Sequence, residues 1–400
     1  MNCNETCRLF GMYQMLSGIE DNVVLLHTVV GCQFATLMHS FHTRQDKLNA
    51  CCTVINDKDI IFNGEESLAY AIERVVRYYQ PKSITVLTGC VAEIIKDDVQ
   101  QVIAQCDYGI PIQHFSGAGF TSTFEAGYED ALLQFVKDNS VQSEVTTPSV
   151  NLLGTLKDDY KLAEDVAELR RVLSYKVELN CVVGACTWDE LCHLSLARLN
   201  LVFHRGLPAA QYMKEHYGIP YVVVDYPYGI AKSQALLTVL EEQLSVDFSQ
   251  EKTVLANEVI TAFTTVYSHL KSFYHCYVGL YSAKAKLDGL SYFLEEELGM
   301  NVITGDKSIC TYQNFINQFD VISPAILFGS SFEGGVAEQL GTVLFPIEYP
   351  VFTRVSIGNQ PYAMGRGALN LVNDLLNMLM ICKDIQDKGA FYREKNMCLR

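Results

Sequence analysis

Short β-branched apolar runs alternate with stretches of helical periodicity along this chain, and the alternation restarts about three times in 400 residues. Val23–Val30, Ser83–Leu87, Val177–Val183, Leu199–Phe203, Tyr221–Val224, Cys276–Leu280, Val321–Phe328 and Gly341–Phe345 read as strands. Glu65–Tyr79, Leu162–Val172, Ala209–His216, Lys284–Leu298 and Gly334–Gln339 read as the helices between them. Strands alternating with helices imply parallel sheets covered on both faces, so the expected fold class is α/β. Three units follow, at 1–145, 146–270 and 271–400. Asp138–Ser149, rich in Ser, Thr and Val, reads as the first linker, and Glu251–His275 as one long amphipathic connecting helix. The charged tail Lys388–Arg400 is expected to be partly disordered.

Composition narrows the function. A chain this long, 49% hydrophobic, exceeds one core and suggests two or three domains. Only 19% of residues are charged, so a partner is expected to cover much of the surface. The formal net charge of −16 argues against nonspecific binding to nucleic acid, which needs a basic footprint. Fourteen cysteines do not make a disulfide framework here, because the chain is large and its N-terminus is polar with no signal peptide. Reduced thiols and metal ligands in a cytoplasmic protein are the expectation. No apolar run reaches the length of a membrane span.

Three cysteines stand out, each where a strand or turn signal meets a helix signal. Cys7 opens a helical run, while Cys32 and Cys90 each follow an apolar β-rich run through a Gly-Cys step. Cysteines at the ends of buried strands converge, and converging thiolates bind soft metals or iron–sulfur clusters. A glycine before the cysteine lets the backbone approach something bulky. The other thiols have weaker contexts. Cys3, spaced Cys-x-x-x-Cys from Cys7, reads either as an extra ligand or as a floppy terminal thiol, and the second is the expectation. Cys51 and Cys52 are adjacent and so face opposite ways on a strand. Cys181, Cys186 and Cys192 lack the tight spacing of a zinc site. His39 and His42 share a helix face without a carboxylate motif and read as solvent or interface residues. Gly329-Ser-Ser-Phe-Glu-Gly-Gly335 is not followed by Lys-Ser/Thr and is no Walker A motif.

The chain resembles component 1 of the nitrogenase family, which includes the nitrogenase α and β subunits, dark-operative protochlorophyllide reductase and nickel-sirohydrochlorin reductive cyclase. The resemblance is carried by Cys7 with Gly11, His27-Thr-Val-Val-Gly-Cys32, Asp59-Ile-Ile-Phe-Asn-Gly64, Pro81-Lys-Ser-Ile-Thr-Val-Leu-Thr-Gly-Cys90, Glu93-Ile-Ile-Lys-Asp-Asp98, Tyr217-Gly-Ile-Pro220 and Pro361-Tyr-Ala-Met-Gly-Arg-Gly-Ala368. The motifs keep family order, and the first hundred residues are most similar to the β-type subunit. The resemblance implies three Rossmann-like domains around a central cleft. It also implies that Cys7, Cys32 and Cys90 hold an iron–sulfur cluster, 4Fe–4S or larger, shared between subunits. Three thiolates are one short of a four-thiolate shell, which a fourth ligand from this chain or a second subunit completes. His27 is expected to hydrogen-bond near the cluster.

Departures from the family pattern are as telling. Thr28 stands where glycine usually follows the histidine, Asn63 replaces the first glycine of Phe-Gly-Gly, and Lys96 replaces glycine in Glu-Ile-Ile-Gly-Asp-Asp. A lysine at positive φ costs about 1–2 kcal/mol. Asp97 and Asp98 are expected to cap a helix. The stretch Asn200-Leu-Val-Phe-His-Arg-Gly-Leu-Pro208 has no cysteine and Val351–Ala368 no histidine, so the cofactor ligands of the α-type subunit are missing. His204 and Arg205, at a strand end, suit either an anion or proton site or a core or surface pair, and the pair is the expectation. The expected function is a subunit of a nitrogenase-like two-component reductase. It would take electrons from an ATP-dependent iron–sulfur reductase and pair with a second component 1 subunit, a paralogue or itself. The alternative is a non-catalytic scaffold for assembly of a nitrogenase-type metal cofactor. No catalytic residue is assigned.

Overall fold

The computed structural model describes residues 7–40, 50–141, 147–319 and 323–397. Among them are three four-stranded sheets whose strand pairs are all parallel. The first contains β1 (Asn22–His27), β2 (Ala50–Cys52), β3 (Ser83–Thr88) and β4 (Ile112–Ser116), in the order β2-β1-β3-β4. The second contains β5 (Ser149–Leu153), β6 (Glu178–Val182), β7 (Leu199–Val202) and β8 (Tyr221–Val223), in the order β6-β5-β7-β8. The third contains β9 (Tyr277–Ser282), β10 (Asn301–Asp306), β11 (Ile326–Gly329) and β12 (Val343–Pro346), in the order β10-β9-β11-β12. Each sheet starts at an inner strand, winds outward one way and then the other. The winding reverses between the first and third strands of each sheet, and there the C-terminal strand ends open a crevice.

One sheet falls in each of the segments 1–145, 146–270 and 271–400. Packing groups the chain into two compact units. One comprises Met1–Leu162, Leu173–Val224 and Pro350–Phe352, and holds the first two sheets. The other comprises Ala163–Val172, Asp225–Tyr349 and Thr353–Arg400, and holds the third.

β1 and β3 are buried at every position, as strands covered on both faces must be. Val23, Leu25, Ile84 and Val86 pack one face against Leu68, Ile72 and Val75 of the helix Glu65–Tyr79. β5 carries a fully buried Asn151, whose amide donates to Asn200 Oδ1 at 2.8 Å and accepts from Asn180 Nδ2 at 2.8 Å. This side-chain ladder crosses three strands and satisfies polar groups whose burial unpaired would cost about 1–3 kcal/mol each.

Several boundaries differ from expectation. β1 stops at His27, and Val30 already starts the helix Val30–Ser40, because Val29 and Val30 are partly exposed beyond the sheet edge. Glu251–His275 is not one helix: Ser249–Thr265 ends at Val266 (φ −111°, ψ 17°), and Tyr267–Leu270 and a 3₁₀ turn follow. The C-terminal backbone is helical from Met364 to Met397, which takes in most of the tail Lys388–Arg400 expected to be partly disordered; residues 398–400 lie outside the described residues. In the second unit, buried Asp165 accepts from the amides of Tyr362 (2.6 Å) and Ala363 (2.8 Å) and from the Tyr226 hydroxyl (2.7 Å). Burial nonetheless raises its pKa to about 6. The Pro361–Ala368 motif is thus an anchoring point of that unit. Among the described residues no helix is long and apolar enough to cross a membrane.

Candidate functional site

Each of the three cysteines stands at the start of a helix. Cys7 is the N-cap of Arg8–Leu16, its carbonyl accepting from Phe10 N–H at 3.1 Å. That helix lies so close to Phe124–Asn139 that a Cβ on Gly11 would overlap the Phe124 carbonyl, which fixes where Cys7 starts. Cys32 lies in the first turn of Val30–Ser40, directly after β1. Cys90 opens Cys90–Ile95 after an extended Gly89, directly after β3. β1 and β3 are neighbours with His27 opposite Thr88, so Cys32 and Cys90 leave the same sheet edge on either side of its crevice.

Gly119 marks where two sulfurs meet. Its N–H donates to Cys90 Sγ at 3.1 Å. A Cβ placed on Gly119 would overlap Cys7 Sγ and stand 3.6 Å from Cys90 Sγ, so both sulfurs lie within 3.6 Å of one point. Burial raises the Cys7 pKa; the Leu9 and Phe10 amides oppose that rise, and negative charge on Cys90 and on Cys32 adds to it. Cys7 is therefore within electrostatic reach of both other thiols, although all three come from distant stretches of chain. Among the described residues the three sulfurs do not close to within 4.8 Å of each other, the spacing at which one ion takes them all. A polynuclear cluster, with ligands on different irons, suits the wider set.

The surroundings also fit such a group. The three thiols are half-buried. Gly31 faces open space on its Cβ side. Thr28 is fully buried, and its hydroxyl has no hydrogen-bond partner among the described residues, a condition that costs about 1–3 kcal/mol if left so. Gly89 does not serve the purpose its Gly-Cys step suggested. A Cβ there would overlap the Thr28 hydroxyl, so the glycine makes room for Thr28. Large apolar side chains stand exposed beside the cysteines: Val30, Phe34, Ile94 and Phe120 are each more than half exposed.

His27 turns out to be committed elsewhere. It is fully buried and pairs with Asp97 Oδ2 at 2.8 Å and Thr53 Oγ1 at 3.0 Å. Burial lowers its pKa, and Asp97 opposes that. Asp97 also accepts from Gly64 N–H at 2.9 Å, so it serves the N-terminus of Glu65–Tyr79 and not the helix that follows it in sequence. Asp98 does cap that helix, accepting from Gln101 N–H at 2.9 Å. Lys96 has φ 61° and Asn63 φ 80°, so both positions that resemble family glycines keep glycine-like backbone. Cys51 packs towards Glu65–Tyr79, whereas Cys52 faces the other way and donates to the Thr28 carbonyl at 3.4 Å. The cysteines whose side chains are described are all free thiols. Cys181 and Cys186 are buried and hydrogen-bonded to each other. Arg205 is buried and held by Glu125 through two bonds of 2.6 and 2.9 Å. Cys3, His42 and the side chain of His39 lie outside the described residues. The parts of the site that sequence reasoning missed are Gly119 and the Thr28 hydroxyl. The one local signal for the former was Gly117-Ala-Gly119 just after β4.

Residues 7–305 match the protein family described as Nitrogenase component 1 type Oxidoreductase. The nitrogenase iron-molybdenum cofactor biosynthesis protein NifE of Clostridium pasteurianum is 28% identical over 64% of this chain and 56% of its own length. NifE of Rippkaea orientalis is 31% identical over 59% of this chain and 52% of its own. One subunit of the light-independent protochlorophyllide reductase of a Synechococcus species is 23% identical over 92% of this chain and 81% of its own. The chain spans about half the length of the NifE relatives. The solved structure "Nitrogenase Cp1 at pH 6.5" shares the fold, with a TM-score of 0.78 at 16% identity over 95% of this chain and 93% of that one.

Proposed function

The chain belongs to the nitrogenase component 1 type oxidoreductases, and on that premise we propose that it is a subunit of a nitrogenase-like two-component reductase. In this reading it receives single electrons from a separate ATP-dependent iron–sulfur reductase and passes them to a substrate or metal cofactor. Cys7, Cys32 and Cys90 hold an iron–sulfur cluster, 4Fe–4S or larger, at the boundary with a second component 1 subunit. The observation that carries this is the approach of the Cys7 and Cys90 sulfurs to one point beside Gly119, with Cys32 in electrostatic reach.

The number of thiols and the surface both support a shared site. Three thiolates leave a four-ligand shell incomplete. The exposed Val30, Phe34, Ile94 and Phe120 suit a covering partner better than water. When bound, a cluster of this kind supplies one-electron uptake and release. The residues of this chain do the rest. The thiols release their protons and bind iron as thiolates. The Gly119 amide donates to the Cys90 sulfur and favours added negative charge there. Leu9, buried beside Gly89, and Leu87, buried beside Gly117, keep the neighbourhood apolar.

Mixing the anaerobically purified protein with an ATP-dependent iron–sulfur reductase tests this. ATP-dependent bleaching of the cluster absorption is the expected result. A spectrum unchanged by reductase and ATP refutes the electron-accepting role.

A second reading, an assembly scaffold for a metal cofactor, is favoured by the likeness to NifE proteins and by the missing α-type cofactor ligands. A scaffold couples ATP use to cofactor maturation and releases little reduced product, which a turnover assay with the reductase distinguishes.

A further inference from the structure

We propose that the second unit carries a binding site for a small organic cation, an alkylammonium, in a cavity lined by the helices Gly229–Leu244 and Ser249–Thr265 and the turns that follow Ser249–Thr265 and Lys284–Tyr292. The site is separate from the three thiols and stands whether or not they hold a cluster. The cavity has a volume of about 560 Å³, within the range of small-molecule sites. Phe263, Tyr267, Tyr274 and Tyr292 give it aromatic walls, and Glu296 and Glu297 line the same space. Among the described residues no Lys, Arg or His lines it.

The rings here already show an affinity for ammonium groups. Lys232 Nζ stands 4.6 Å from the Tyr292 ring centroid and Lys271 Nζ 5.1 Å from that of Tyr267, yet neither lysine lines the cavity. Lys232 is also held by Asp225 at 2.6 Å. Tyr274, hydrogen-bonded to Tyr267, is half-exposed and holds no cation among the described residues. Electron-rich faces of this kind bind ammonium and quaternary ammonium ligands.

The carboxylates lack a counter-charge. Glu296 is exposed and has no hydrogen bond or ion pair among the described residues. Glu297 is half-buried and accepts from Ile230 N–H at 2.9 Å and Ala231 N–H at 2.8 Å. A Cβ on Gly229 would stand 2.6 Å from both of its oxygens, so glycine there makes room for the carboxylate. Burial raises the Glu297 pKa and the two amides oppose the rise. In an α-helix Glu296 would share a face with Tyr292, four residues earlier, and Glu297 would turn away from it. Phe293–Glu297 is instead a π-helical turn, closed by Leu298 N–H to the Phe293 carbonyl at 3.1 Å, and this wider turn lets both carboxylates reach one cavity. Such turns recur at functional sites. An anion would meet two carboxylates, and a bare metal ion would leave the apolar walls unused. An alkylammonium complements both the charge and the rings.

Isothermal titration calorimetry on the full-length protein tests this with choline, its neutral isostere 3,3-dimethylbutan-1-ol and a trilysine peptide. Saturable choline binding is expected, with the isostere about tenfold weaker. Tyr274→Leu removes a half-exposed ring and should weaken choline about tenfold. Glu296→Lys, which brings a tethered ammonium to the cavity, should weaken it at least as much, and Glu296→Gln about threefold. Thermal unfolding should stay at wild type in both Glu296 variants, which keeps the test valid if the leucine variant folds poorly. No saturable choline binding up to about 10 mM overturns the proposal. Equal binding of choline and the isostere overturns it too, because charge then plays no part. Wild-type affinity in Glu296→Lys would put the choline elsewhere, with the same consequence. Binding of trilysine without choline also overturns it, and assigns the cavity to a basic segment of a partner protein.

Discussion

Past β1 and β3 the first sheet presents Thr28, Gly31, Cys32, Gly89 and Cys90; past β5 and β7 the second presents Gly154, Thr155, Arg205 and Gly206. The strand order is the same and both sheets belong to one compact unit. At the second sheet the protein answers its own polar groups. Arg205 is bound twice by Glu125, Gly206 N–H donates to the Glu129 carboxylate at 2.9 Å, and the Tyr128 hydroxyl donates to the Thr155 carbonyl at 3.0 Å. At the first sheet the thiols are half-buried, Gly31 faces open space and the Thr28 hydroxyl goes unanswered among the described residues. Winding order fixes where a crevice forms, and side chains decide whether the chain fills it or keeps it for another group.

Gly119→Ala should break the contrast most completely. The added methyl group overlaps the Cys7 sulfur, so most of the cluster's iron and visible absorption should be lost while every thiol is retained. Far-UV circular dichroism should stay at wild type. Full iron in this variant means that the Cys7 sulfur is free to move away from Gly119, and the convergence described here does not matter to binding.

A smaller effect is expected at the filled crevice. Burial, more than any other cause, raises the pKa of Glu129 from 4.5 to about 7, against the pull of the Gly206 amide. Its folded pKa lies above the unfolded one, so the stability it contributes is fully present below about pH 4.5 and is lost as pH rises through about 7. Glu129→Gln keeps an acceptor for Gly206 and removes the titration. Urea unfolding at pH 5 and pH 8 should show the wild type losing on the order of 2 kcal/mol more than the variant. Equal losses in the two proteins would show that the carboxylate is effectively solvated. Iron content should not change, since this crevice holds no thiol among the described residues.

The smallest effect sharpens the comparison from the first sheet's periphery. Lys96 is exposed and closes the Cys90–Ile95 helix at φ 61°, ψ 46°. Lys96→Gly should stabilise the protein by about 1 kcal/mol in thermal or urea unfolding, with the iron content unchanged. Destabilisation would mean that the lysine makes an interaction worth more than its backbone strain.

Much of this was written in local sequence. β1 and β3 declare themselves by runs rich in β-branched and apolar residues, Val23-Val-Leu-Leu26 and Ile84-Thr-Val-Leu87, and the Gly-Cys steps after them mark the two crevice thiols. The left-handed turn at Lys96 was legible once the position resembled a glycine. What stayed hidden depends on contacts distant in sequence. β5 carries Asn151, polar in isolation and satisfied only by Asn180 and Asn200 from neighbouring strands. The break at Val266 interrupts a pattern that periodicity alone would continue. The step before Cys90 suggested room for a bulky ligand, yet Gly89 answers Thr28, about sixty residues away in an adjacent connection. His27 was expected near the cluster because it shares a motif with Cys32. Strand pleating instead directs it to Thr53 and Asp97.

Iron and acid-labile sulfide per chain, measured on anaerobically purified wild type and on Cys7→Ala, Cys32→Ala and Cys90→Ala, test the central claim most directly. Wild type should carry both elements in comparable amounts, and each replacement should remove most of them. Wild-type amounts in all three variants, or a colourless wild type without iron, would contradict a cluster held by these thiols.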